Sequence, residues 1–196
     1  METQYWIKLA EIFLPPIITV VLAWIVGERI SAHWAARRKG REDAQARSDH
    51  LFEIYGQFFS NWKLWNYFID SHPEERDDRF HDIFRTAAEA EGKMEALLVT
   101  LCAELRLEPN EAWSLGRFRQ GYQSLRECIR DGKRLEWISS EHEQYLAFKR
   151  LAVSVATLAA LERHERLSPA PPEAINQIRM VTSNKWEDTW WLEPKS

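Results

Sequence analysis

The nearest thing to a ligand-holding pattern in this sequence is DDRFHD, residues 77–82. It sets Asp78, His81 and Asp82 three and four apart, on one face of an expected helix start. Two carboxylates and an imidazole so spaced could supply two or three ligands to a divalent ion. Acids in a first helical turn also complement the helix dipole, and a surface histidine there needs no metal. No metal is expected. The histidines at 33, 50, 72, 81, 142 and 164 form neither HxxxH nor HExxH, so zinc-peptidase chemistry has no foothold. The phosphate loops GxxxxGK[ST] and GxGxxG are missing, as is the nucleophile elbow GxSxG. Ser139 and Ser140 adjoin EHE, but sequence neighbours on a helix point to different faces. The expectation is a protein that is not an enzyme, with no catalytic residue and no cofactor.

A second cluster could bind rather than react. In GRFRQGYQSLRECIRDGKR, residues 116–134, Arg119, Gln123, Arg126 and Arg130 recur at 4-3-4 spacing. They run one residue out of phase with the apolar stripe Phe118, Tyr122, Leu125 and Ile129. A basic face beside a buried one could hold a nucleotide, an anionic headgroup or an acidic partner. The competing reading pairs it with acids of the preceding helix, such as Glu89, Glu91 or Glu95. Trp190 and Trp191, in a polar tail, either cap the core or form a docking patch.

These groups need a scaffold, and its first part is apolar. Ile12 to Gly27 is 16 residues without a charge, about 24 Å of helix against a hydrocarbon core of about 30 Å. The flanks favour a span at about 12–30. Trp6 precedes it, and Trp24 and Trp34 stand near its far end like an aromatic belt. Lys8 and Glu11 can pair or snorkel outward, which lengthens the apolar part. ARRKGR follows, with Arg37, Arg38, Lys39 and Arg41 as the basic stop that stays cytoplasmic. Residues 1–41 carry six Lys/Arg against three acids, and the remainder 20 against 27. No nucleic-acid partner is expected of such a chain. No small-x-small site suggests signal-peptide cleavage. Pro15 and Pro16 lack backbone donors, so a kink or restart is expected there.

The rest reads as helix. Leu51, Tyr55, Phe58, Trp62, Trp65 and Ile69 follow a 4-3-4-3-4 seam on a long first helix, a candidate interaction surface, with Phe52 and Phe59 beside it. SHPEERDDR (71–79) breaks it. A second helix is expected at 80–105, and a third at 111–131 with Asn110 as N-cap and Gly132 just past its end. A short helical piece around 135–138 precedes a fourth helix begun by Ser140 and Glu143 at capping-box spacing. LAVSVATLAAL, 151–161, is expected to be the most buried stretch, and a short helix follows SPAPPE at 173–182. Cys102 and Cys128 read as small buried hydrophobes without a disulfide framework.

The expected fold is therefore all-α: one N-terminal transmembrane helix, then a cytoplasmic bundle of four to five helices with a long first helix. Its parts are an anchor segment at 1–34, a basic juxtamembrane stretch at 35–48, the bundle at 49–167, and a Pro-rich turn, short helix and Trp-rich tail at 168–196. The layout looks like that of small bacterial inner-membrane proteins, N-terminus outside and C-terminus in the cytoplasm. Two functions follow. One is a non-enzymatic interaction or oligomerisation module, with membrane lipids and a protein partner or second copy. The alternative is a membrane-perturbing effector of antiphage or abortive-infection type, in which the bundle senses a signal and short spans gather.

Overall fold

The computed structural model describes residues 2–71, 76–135, 137, 141–162 and 168–183; within its helices the side chains of residues 2–17, 21, 71 and 76–78 fall outside the description. The described residues form an all-helical structure, and no strand occurs among them. Its elements are α1 (Glu2–Ser71), α2 (Arg76–Glu104), α3 (Pro109–Arg130), α4 (Glu143–Ala159) and α5 (Pro171–Val181). Two compact units divide at residues 42 and 43.

In the first unit, α1 does not restart at Pro15 and Pro16. Each proline forfeits its own N–H bond, but its fixed φ is already helical. α1 also continues through Gly40 without a break. Among the described residues, no helix is long and apolar enough to cross a membrane. The described part of the apolar run starts only at Ile18, and Glu28 and Arg29 end it. The side chains of Trp6, Pro15 and Pro16 lie outside the described residues, as do Trp190 and Trp191.

In the second unit, the buried side of α1 repeats every three or four residues: Ala44, Arg47, Leu51, Ile54, Phe58, Asn61, Trp65 and Phe68. This is the heptad seam of a helix packed along its neighbours. Of the expected seam, Leu51, Phe58 and Trp65 are buried, while Tyr55, Trp62 and Ile69 pack on the core from its edge. The displacement has a polar cause. Asn61 takes an interior position because its Oδ1 accepts from the Thr86 hydroxyl at 2.9 Å. The Trp62 indole keeps its wet edge and donates to the Leu135 carbonyl at 3.4 Å. Phe52 faces outward, 62% exposed.

The helix most enclosed is α3, where every residue from Leu115 to Tyr122 is buried. This corrects the expectation for 151–161. There Leu151, Val155, Leu158 and Ala159 are buried, but Val153 is 67% exposed and Ser154 and Thr157 face outward. An uncharged run of Ala, Ser and Thr does not require burial. Ser154 and Thr157 return their hydroxyls to the carbonyls of Arg150 and Val153, at 3.3 and 3.0 Å.

Helix ends follow local chemistry, with one shift. α3 begins at Pro109, so Asn110 lies inside its first turn and Glu108 is the N-cap. The Glu111 carboxylate reaches back to accept from the Glu108 N–H at 2.8 Å. At the other end Gly132 has φ +65°. Its N–H donates to Ile129 at 3.1 Å and the Lys133 N–H to Cys128 at 2.8 Å, a Schellman closure as the glycine implied. Beyond it Leu135 and Trp137 are buried but not helical, contrary to expectation. The Trp65 indole donates to the Lys133 carbonyl at 2.7 Å, and Trp62 to Leu135, so the connection's carbonyls serve the core. His142 caps α4; Ser140 lies outside the described residues.

The core holds an aromatic cluster around Phe148, whose ring lies 4.5 Å from Phe58, 4.8 Å from Phe118 and 5.2 Å from Trp137. Cys102 is free and fully buried, which pushes its thiol up to about 12. Burial also holds the Tyr122 phenol well above its ordinary value. In the unfolded chain these groups ionise near about 8.5 and 10. Above pH ~9 the unfolded state therefore sheds protons that the native state keeps, so stability falls as pH rises. Urea midpoints are expected to hold from pH 7 to 8 and decline from 9 to 10.5. Cys102 should stay silent to thiol reagents until unfolding. A midpoint rising over that alkaline range would contradict the assignment.

Candidate functional site

In the first unit, every described side chain from residue 18 to 39 is exposed. The large apolar ones lie all round the helix, including Val20 at 68%, Trp24 at 67% and Trp34 at 64%. A helix apolar on every side is stable only where something apolar surrounds it. No other described segment of this unit covers these side chains. Arg37, Arg38, Lys39 and Arg41 are exposed one to two turns further on. Among them, Arg38 is engaged by the Glu42 carboxylate, Nε to Oε1 at 2.9 Å.

The second candidate, the basic face of α3, is met from within the bundle. Arg119 is buried and stands 3.4 Å from Glu95 Oε2. Arg126 pairs with the buried Glu91. Gln123 donates to Glu127 at 3.0 Å, and Arg130 to Asp131 at 2.8 Å. Two carboxylates of α2 thus stand where an external anion would sit, and the four residues stitch α3 to α2 and to its own C-terminal turn. The pairing reading of the sequence describes this geometry.

No protein-family model, curated protein or solved structure matches this chain.

The other candidates offer little reactive geometry. His81 and Asp82 are exposed, and Asp82 accepts from Arg85 at 3.2 Å; the Asp78 side chain lies outside the described residues. No group of three or more His, Cys, Asp or Glu among the described residues could hold a metal. An open groove of about 410 Å³ between α3 and α4 is lined by Asn110, Glu111, Ser114, Ser154 and Thr157, with Val153. The Ser114 hydroxyl donates to the Asn110 carbonyl at 2.9 Å, as Ser154 and Thr157 do within α4, so these hydroxyls donate into their own helices.

One polar site escaped the sequence reading. Arg47, 7% exposed, sends Nη1 to Glu104 Oε2 at 2.6 Å, Nε to the Ala159 carbonyl at 3.3 Å and Nη2 to the Leu161 carbonyl at 2.5 Å. It closes the C-terminal ends of α2 and α4, where carbonyls lack intrahelical partners and the dipole favours a cation. The signal was present in its register: Arg47 continues the buried 3-4 repeat upstream of Leu51. Gln177 plays a similar part on α5. With its amide oriented to satisfy its neighbours, it donates to the carbonyls of Cys102 and Leu105 at 3.1 and 3.2 Å and accepts from the Leu107 N–H at 3.2 Å.

Proposed function

We propose that this chain is a membrane-anchored, non-enzymatic interaction module, its first helix entering the bilayer from about residue 12 to 30 and its bundle standing in the cytoplasm of a bacterium. The observation that carries this is the apolar helix of the first unit, exposed on all sides from residue 18 onward. In water such a surface forfeits about 25 cal/mol for each Å² left exposed. A bilayer removes that cost, and a helix is one of the two backbone forms a bilayer accepts. The basic stop at 37–41 favours an inner location for the bundle. The self-contained aromatic core leaves the module's work to surfaces, with a protein partner or a second copy as its target.

The test is fractionation of the full-length chain. It should remain with membranes after alkaline carbonate, and a C-terminal tag should resist protease added to intact spheroplasts. Leu22→Arg with Ile25→Arg, at about 2.5–3.5 kcal/mol for each charge near mid-bilayer, should move the chain into the carbonate supernatant. Release of the unaltered chain by carbonate would overturn the anchor. Dye leakage on induced expression, abolished by Glu11→Ala, would replace this reading with the effector.

A further inference from the structure

Resting on the anchor reading, we infer that Arg37 and Arg41, with Lys39 adding charge at the same depth from the opposite side of the helix, form a headgroup site selective for anionic phospholipid, and that Glu42 limits its strength. Ile30, Trp34, Arg37 and Arg41 follow a 4-3-4 spacing and so share one face of α1, and all four are exposed. Along that face the chemistry passes from aliphatic to aromatic to guanidinium, the order in which a bilayer passes from hydrocarbon through interface to phosphate. At about 1.5 Å per residue, Arg37 Cα lies about 15 Å beyond Gly27. Helical side chains lean toward the N-terminus, here toward the bilayer, and long stems carry the charge back to the headgroup layer. Within a Debye length of about 8 Å, an anionic surface attracts each such charge appreciably.

The four basic residues differ in what they hold. Arg38 Nε is engaged by Glu42 at 2.9 Å, a pair exposed on both sides. Such a pair is weak by itself, but it sets a negative charge one residue from Arg41. Arg37 and Lys39 hold no described carboxylate in that way. A phosphate on a lipid fits better than one on a nucleic acid, because the apolar run of the same helix brings the cluster to a lipid surface. An apolar anchor plus a polybasic patch is the two-signal arrangement that discriminates between leaflets.

The experiment reconstitutes the detergent-solubilised full-length chain, by detergent removal, in the presence of equal amounts of two vesicle populations separable by density. One is phosphatidylcholine alone; the other contains 30% phosphatidylglycerol. The ratio of protein recovered in the two reads headgroup preference apart from insertion. At low salt it should favour the anionic vesicles, fall about fivefold in Arg37→Gln and again in Lys39→Gln, and rise about fivefold in Glu42→Gln. Arg38→Gln should change it less than Arg37→Gln. In 1 M NaCl, where the Debye length is about 3 Å, it should approach one. Incorporation into both populations at a ratio of one would overturn the headgroup site and leave the anchor standing. Binding to anionic vesicles alone, reversed by salt, would overturn the anchor and keep the site. Recovery in neither overturns both. A single-stranded oligonucleotide shifted at equal salt, together with a lipid ratio of one, would assign the cluster to nucleic acid instead.

Discussion

Phe148→Ala is expected to lower the unfolding free energy by about 3–5 kcal/mol, a large share of the roughly 5–15 kcal/mol that stabilises an ordinary domain. Phe148 has no solvent exposure, and its ring is within 6.3 Å of Phe58, Phe118, Trp137, Tyr122, Tyr55 and Phe59. These rings come from α1, α3, α4 and the connection that precedes α4, so truncation opens a cavity where the elements meet. Large stiff rings cannot all move to close it, which puts the cost toward the upper end. Phe148→Leu keeps much of the volume and should lose about 1.5 kcal/mol or less. Urea unfolding in detergent, followed by tryptophan emission, measures both. An alanine variant losing under 1 kcal/mol would mean that Phe148 is not the hub of the core.

Arg47→Met should cost about 3–5 kcal/mol, although the change looks apolar-for-amphipathic and roughly conserves size. The guanidinium serves one carboxylate and two carbonyls at the ends of two helices. Methionine leaves Glu104 without its partner and returns unmet carbonyls to a buried place. Glu104→Gln should cost less, because an amide oxygen can still accept from Arg47 Nη1 and the arginine keeps both carbonyls. Arg47→Lys is expected to fall between, since an ammonium on a flexible stem does not reproduce a planar fork. The double variant Arg47→Met with Glu104→Gln should lose less than the sum of the singles, which a double-mutant cycle reads directly. Additive losses would place Arg47 outside any network with Glu104.

The two residues differ in how well the sequence announced them. Phe148 sits in an amphipathic helix, and its burial follows from period and hydrophobicity. Arg47 stands in a charged stretch beside the apolar run, where a cation by local pattern belongs to the membrane surface rather than to a core. Local spacing likewise does not distinguish an external anion from the acids Glu91 and Glu95 as the partners of Arg119 and Arg126. In the aromatic seam, periodicity found the correct side of α1 but centred it about half a step away, since Tyr and Trp score as apolar yet prefer an edge where the polar tip is met. In 151–161 absence of charge does not imply burial, because Ser154 and Thr157 satisfy their hydroxyls on their own helix and can face outward.

By itself the sequence determined the helical class, the closure of α3 at Gly132, and an uncharged run followed by four cations. Those features depend on interactions within a few residues: a positive φ that glycine tolerates, the 3.6-residue period, the proximity of like charges. Only the tertiary structure decided which face of α1 turns inward, that Glu91 and Glu95 meet the arginines of α3, and that Arg47 closes helices ending at 104 and 159. The Arg47 contacts reach across 57 to 114 residues of chain. Pairing at that separation is selected by packing, where a buried charge must find its partner, and no local spacing records which one it finds.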